Sequence, residues 1–245
     1  MSCGDPSLSK KAGERALPSH GFLSRKILLW LGGAMVLGAL GLWLEAGHDN
    51  NYDLQRLAFG ARYRQFDPQI RAAAERYGVD PALIKAVIWR ESRFHPDMLG
   101  TRGERGLMQI TEGAAQDWAR AEKIETFVVT DLLDPKTNIE AGAWYLSKAL
   151  RHWSEKDDPV PFALAEYNAG RTRVKRWEKD SGRAGGGFGA DDLREAMDFP
   201  ATKAYIKSIQ DRYLDFRQRG EFSSPGLSPE KSFPPAAGPD ESPAG

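Results

Sequence analysis

The stretch Asp80-Pro81-Ala82-Leu83-Ile84-Lys85-Ala86-Val87-Ile88-Trp89-Arg90-Glu91-Ser92 decides how this chain folds. Asp80 followed by Pro81 is a helix start, because aspartate can cap the first turn and proline lacks only an N–H that the first turn would leave unpaired. Leu83, Ile84, Val87 and Ile88 then recur at helical spacing as an apolar stripe. Glu91 stands three residues after Ile88, four after Val87 and seven after Ile84, so it leaves the helix on that same face. A carboxyl aimed at an apolar wall is desolvated, which disfavours its charged form and raises its pKa. A general acid working near neutral pH needs that shift. The plainer reading of the same residues is a glutamate at a frayed helix end, reaching into water.

Outward from this segment the pattern stays helical. Asp67-Pro68 gives an earlier N-cap and first turn, with Ile70, Ala73, Ala74 and Tyr77 on one face and Gly78 as the stop. Thr111 caps a helix carrying Ala114, Ala115 and Trp118, and Asn138 opens one with Ile139, Ala143, Leu146, Leu150 and Trp153 on one face. Further helices are expected over 162–167, around Val174 and Trp177, and over 201–219. Phe127-Val128-Val129-Thr130 is too short to build a sheet. The expected fold is a compact all-α domain over 67–220.

Composition bounds what such a domain does. Lys+Arg and Asp+Glu both number 34, and this zero net charge argues against a nucleic-acid binder, which needs a basic surplus. The single cysteine, Cys3, excludes an intrachain disulfide and any Cys-based metal cluster. No cofactor and no metal is expected.

Residues 27–44 (ILLWLGGAMVLGALGLWL) form an uncharged run. As a helix it is about 27 Å long, close to a bilayer's hydrocarbon thickness. Lys10, Lys11, Arg15, Arg25 and Lys26 precede it against only Asp5 and Glu14, while Glu45, Asp49 and Asp53 follow. The positive-inside rule makes 1–26 a cytoplasmic tail, 27–44 a transmembrane anchor with Trp30 and Trp43 near its ends, and places the rest outside. The alternatives are a cleaved signal, with Ala39-Leu40-Gly41 offering small residues for cleavage, or a buried core helix. Cys3 precedes the apolar run and cannot be acylated after signal processing. Residues 45–66 read as a polar spacer. Residues 221–245 hold six prolines and read as a disordered tail.

Four further segments accompany Glu91-Ser92. Gly106-Leu107-Met108-Gln109-Ile110 follows after a loop, then Asn138-Ile139 with Gly142, Tyr145 and Leu146. Ala165-Glu166-Tyr167-Asn168-Ala169-Gly170 and Pro200-Ala201-Thr202-Lys203-Ala204-Tyr205-Ile206 complete the set. In this order and spacing they resemble the signature motifs of the soluble lytic transglycosylase family 1, in the lysozyme-like superfamily. The resemblance covers residues 67–213, nearly all of the expected domain. Each motif alone is a weak signal; the ordered set is a strong one.

The resemblance implies roles residue by residue. Glu91 matches the catalytic glutamate and Ser92 the serine that helps hold the substrate or the carboxyl. Gln109 matches the glutamine lining the cleft, with Met108 beside it. Tyr167 and Asn168 match the pair facing the glutamate, and Tyr205 the late tyrosine whose hydroxyl can bond it. The chain departs from the pattern at Ala201, where a glutamate is common, and at Glu166, which replaces a small residue. The implied reaction cuts the bond between N-acetylmuramic acid and N-acetylglucosamine in peptidoglycan. Glu91 donates its proton, then takes one from the muramic acid C6 hydroxyl, and a 1,6-anhydro sugar results. The apolar run at 27–44 and its flanking charges, rather than the resemblance, give the expected compartment: the periplasmic face of the inner membrane, or the periplasm after signal cleavage. A hydrolytic muramidase and a catalytically silent peptidoglycan-binding module are the alternatives.

Other readings of these residues stand beside that one. Tyr167 and Tyr205 could be packed tyrosines with satisfied hydroxyls; Gln109 could cap a loop and Ser92 end its helix. Gly106 could let a sugar approach the backbone. His95 and Asp97 read as surface residues. The cluster Gly182, Gly185, Gly186, Gly187 and Gly189 lacks the lysine and preceding strand of a phosphate loop, and reads as a connection.

Overall fold

The computed structural model describes residues 60–183 and 187–222. The expected anchor, the tail before it, most of the spacer and the proline-rich end beyond residue 222 lie outside the described residues. Among those described, no helix is long and apolar enough to cross a membrane.

Eight α-helices follow one another among the described residues: α1 (Asp67–Tyr77), α2 (Pro81–Ser92), α3 (Glu112–Ala121), α4 (Pro135–His152), α5 (Val160–Ala169), α6 (Arg171–Asp180), α7 (Ala190–Ala196) and α8 (Pro200–Gln218). A 3-10 turn (Val129–Leu133) precedes α4. No strand forms among them; isolated antiparallel bridges join Leu99 to Arg105 and Arg105 to Ile110. The all-α expectation for this part of the chain stands.

α2 is the central element. It starts as expected: Asp80 caps it by accepting from the Ala82 amide at 2.8 Å, with Pro81 in the first turn. Its burial runs all round rather than along one stripe, taking in Lys85, Ala86 and Trp89 with Leu83, Ile84, Val87 and Ile88. α8 lies along it on one side and α1 on another, while α4 packs against α1, α3 and α5. A helix enclosed on every face is held rigidly, which suits one that presents a reactive group from its last turn.

Several start signals fall one or more residues from expectation. α1 begins at Asp67, with Phe66 in the cap position, and the Asp67 carboxylate accepts from Lys85 Nζ at 2.9 Å instead of capping. α4 opens at Pro135 behind Asp134, whose side chain accepts from the Thr137 amide at 2.9 Å. Asn138 therefore sits inside the helix, with no exposed surface. In the stretch read as spacer, residues 60–64 are helical, and Tyr63 and Phe66 are buried. α7 had no periodic signal behind it: it follows the glycine cluster, of which Gly185 and Gly186 lie outside the described residues.

Candidate active site

Glu91 occupies the last turn of α2, immediately before the chain turns away through left-handed Arg93 (φ 51°) and Phe94 (φ 62°). From α8, the Tyr205 hydroxyl donates to Glu91 Oε1 at 2.6 Å. The residue retains some surface exposure, yet its carboxyl is closely enclosed. Burial pushes its pKa up from the ordinary 4.5 to about 7; the Tyr205 hydrogen bond and the Arg90 charge pull back, and the Glu104 charge adds to the rise. Near neutral pH such a group is available both as an acid and as a base.

The two tyrosines around it stay neutral donors. Burial first, then the negative charge of Glu91, holds both Tyr167 and Tyr205 well above the usual phenol value. Tyr205 is 5% exposed and Arg90 lies 5.8 Å from its ring. Tyr167, from the end of α5, donates to the Met108 carbonyl at 2.9 Å and meets Tyr145 edge-on at 5.6 Å. Asn168 beside it is exposed, and its Oδ1 accepts from Thr202 Oγ1 at 2.8 Å, tying α5 to α8. That leaves the Asn168 amide N–H groups as the outward donors.

Between α2 and α3 the chain makes a tight loop. Gly100 N donates to Glu104 O at 2.7 Å, Gly106 N to Met98 O at 2.8 Å, and Arg105 and Ile110 exchange two backbone bonds of 3.0 Å. The buried Asn138 pins it from α4: its Oδ1 accepts from Met108 N at 2.7 Å, and its Nδ2 donates to the Arg105 and Leu132 carbonyls, each at 2.8 Å. Gly106 (φ 76°) is required by this contact, since an added Cβ would lie 2.3 Å from Asn138 Nδ2. The glycine serves close packing against Asn138 of α4. Gln109 adopts φ 48°, and its Nε2 donates to the Met98 and Gly106 carbonyls at 3.1 and 2.9 Å, so its amide clips the loop.

The structure thus brings Glu91, Tyr205, Tyr167 and the Met108 backbone together, and links Asn168 to the same wall. It does not bring every expected residue to the surface. The Met108 side chain has no exposure and is seated against Gly142, where an added Cβ would lie 2.3 Å from its Sδ. Ser92 is buried, and its hydroxyl donates back to the Ile88 carbonyl at 3.3 Å, within its own helix. Both act here as packing residues.

Sequence reading had not placed three residues at the site. Thr202 was visible only as a motif position, and Asn138 as a helix opener and a motif position without a role. Glu104 gave no local signal. It is 8% exposed, and its oxygens accept from the Arg102 amide at 2.9 Å and guanidinium at 2.8 Å. Burial works to raise its pKa, but these bonds and the Arg102 charge outweigh it and hold the carboxyl below its usual value. Among the described residues no group of three or more His, Cys, Asp or Glu is placed to hold a metal ion.

A mainly helical domain whose central helix delivers one enclosed carboxyl to two neutral phenols is lysozyme-like in class. More narrowly, residues 68–186 match the transglycosylase SLT domain. It is similar to the membrane-bound lytic murein transglycosylase F of Desulfosudis oleivorans, with 38% identity over 117 residues, covering 46% of this chain and 24% of that protein. In structure it is similar to the 70-kDa soluble lytic transglycosylase of Escherichia coli, with TM-score 0.56 and 24% identity, over 64% of this chain and 24% of that one. It is also similar to an inactive glutamate-to-glutamine mutant of the lytic transglycosylase Slt from Pseudomonas aeruginosa, with TM-score 0.55 and 28% identity, over 62% of this chain and 24% of that one. The chain spans about a quarter of the length of each of these proteins.

Proposed function

We propose that this chain is a membrane-tethered peptidoglycan lytic transglycosylase with Glu91 as its single acid/base. The observation that carries the reading is the 2.6 Å bond from the Tyr205 hydroxyl to a Glu91 carboxyl whose pKa burial lifts to about 7. The protonated carboxyl donates to the glycosidic oxygen between N-acetylmuramic acid and N-acetylglucosamine. The substrate's own N-acetyl oxygen shields the oxocarbenium-like carbon, as in substrate-assisted glycosidases. Glu91, now ionised, takes the proton of the muramic acid C6 hydroxyl as that oxygen attacks the anomeric carbon. Bond broken and bond formed share that carbon, the proton count is restored, and a 1,6-anhydro sugar leaves without water. Attack from within the same sugar supplies its own proximity advantage.

Tyr205 orients the carboxyl and steadies its ionised form with a hydrogen bond. Gln109, Tyr167 and Asn168 border the groove for the sugar rings and acetamido groups, while Ser92 and Met108 hold its floor. Peptidoglycan as the substrate class is supported by the names of the similar lytic transglycosylases. The domain boundaries at 67 and 220, the anchor at 27–44 with its inside-positive flank, and the inner-membrane, periplasm-facing position belong to the same proposal and rest on the sequence alone.

Purified sacculi digested with the full chain in detergent test the reading by mass spectrometry of the products. Soluble muropeptides ending in 1,6-anhydro-muramic acid are the expected outcome. Muramic acid ends reducible by borohydride would replace the reading with a hydrolytic muramidase. Sacculus binding with no soluble product would replace it with a silent binding module.

A further inference from the structure

Glu166 is the departure from the family pattern that the site itself leaves unused. It is 3% exposed, and its two oxygens are occupied from the end of α4: Oε1 by His152 Nδ1 at 2.7 Å and Oε2 by Trp153 Nε1 at 2.8 Å. On its other side His152 Nε2 lies 3.1 Å from Arg171 Nη1. Arginine can only donate, so Nε2 must accept, and His152 is then the neutral tautomer with its proton on Nδ1, pointing at the carboxylate. Glu166 also accepts from the Gly170 amide through its backbone carbonyl, at 2.7 Å. These bonds close a ring: Glu166 carbonyl to Gly170, next to Arg171, back through His152 to the Glu166 carboxylate. The residues enclosed are Tyr167, Asn168, Ala169 and Gly170, the turn that supplies one wall of the groove.

We propose that Glu166, His152 and Arg171 are positioning residues for the Tyr167–Asn168 turn, and that the ring is intact only while His152 is neutral. The inference rests on the proposed glycan-cleaving role of Glu91. Protonated at both nitrogens, His152 offers Arg171 a donor where it needs an acceptor, and a second positive charge besides. The charged groups in contact with His152 are Glu166 from α5 and Arg171 at the start of α6; Lys156, farther along, is engaged by Glu178 at 2.7 Å and the Phe188 carbonyl at 3.1 Å. Opening one bond of the ring loosens the wall without touching Glu91.

The pH profile separates the two sites. A single acid/base that starts protonated loses activity only as pH rises, so Glu91 gives kcat/KM an alkaline limb and no acid limb. The ring adds an acid limb, a loss of about five-fold, the scale of one net hydrogen bond. Measured on sacculi with the full chain, His152→Gln, which can donate to Glu166 and accept from Arg171 at any pH, is expected to abolish the acid limb and keep the alkaline one. Arg171→Met, at an exposed position where folding is not at stake, is expected to lower kcat/KM at neutral pH to the wild type's acid value and to flatten the same limb. A wild-type profile with no acid limb, an acid limb unchanged in His152→Gln, or an Arg171→Met enzyme indistinguishable from wild type would each overturn the inference. Absence of any strand cleavage by the wild type would instead sink the function proposed for Glu91.

Discussion

Two ionisable side chains enter the interior from the same helix, and they are treated oppositely. Lys85, in the middle of α2, is 2% exposed and meets two carboxylates, Asp67 at 2.9 Å and Glu221 at 2.8 Å, with the rings of Phe222 and Phe216 5.1 and 5.5 Å away. Glu91, at the end of α2, has one phenol in hydrogen-bond contact. A buried charge surrounded by opposite charges joins chain segments and does no chemistry. A buried acid hydrogen-bonded by a neutral phenol, with arginine charges acting only through space, keeps its proton to about pH 7 and can give it away.

The largest test of that contrast is Glu91→Gln. Strand cleavage is expected to fall about a thousandfold or more, because the amide can neither donate the proton nor recover one. The fold is expected to gain stability. The folded-state pKa of Glu91 lies above its unfolded value, so between pH 4.5 and about 7 the folded form holds the extra proton. Stability therefore declines as pH rises through that window and stays reduced above it. Glutamine removes the cost, up to about 3 kcal/mol at pH 8 and none at pH 4. Thermal melts at the two pH values check it, and a variant melting lower than wild type at pH 8 breaks the contrast at its catalytic end.

Lys85→Met tests the other end. It leaves Asp67 and Glu221 facing each other across an apolar site, and a loss of about 3 kcal/mol is expected from urea unfolding. Activity per folded molecule should be unchanged. A neutral effect would mean that the lysine's stem, rather than its charge, carries the contact.

How much of this was legible follows from the range of each signal. The capped start of α2 and the face carrying Glu91 were local and periodic, and both were readable. The enclosure of α2 on every side was not, because Trp89 and Lys85 are buried by partners far along the chain. Tyr63, packed on Phe94 at 4.7 Å between ring centres, carried no local mark of its role. Phe222, over which Arg71 sits at 4.7 Å, lies in a stretch whose prolines made it read as tail. Tyr205, Tyr167 and Asn168 were legible only through the resemblance, since tyrosine on a helix is usually just packed. Asn138 was read as the opening of its helix rather than as a pin, because its three bonds go to a loop about thirty residues away in sequence and to the turn before its own helix.

Tyr205→Phe sharpens the contrast by removing the one hydrogen-bond donor. The phenol favours the ionised carboxylate, so its loss raises the Glu91 pKa further and moves the alkaline limb of kcat/KM to higher pH. The maximal rate is expected to fall about tenfold, as a hydrogen bond to a charged group is lost from the step in which Glu91 recovers a proton. An unmoved limb would mean that Tyr205 only packs.

The smallest effect is expected at Glu104, and it has the opposite sign. Its charge raises the Glu91 pKa through space, although its own oxygens are engaged by Arg102. In Glu104→Gln that push disappears while Arg102 still favours the Glu91 carboxylate, so the alkaline limb moves slightly to lower pH. The amide oxygen can still accept from the Arg102 N–H, which keeps the loop in place. If Glu104 were instead a second catalytic carboxylate, as in a two-carboxylate glycosidase, the substitution would cost orders of magnitude in rate. A mild shift with the rate retained rules out Glu104 as a second catalytic carboxylate.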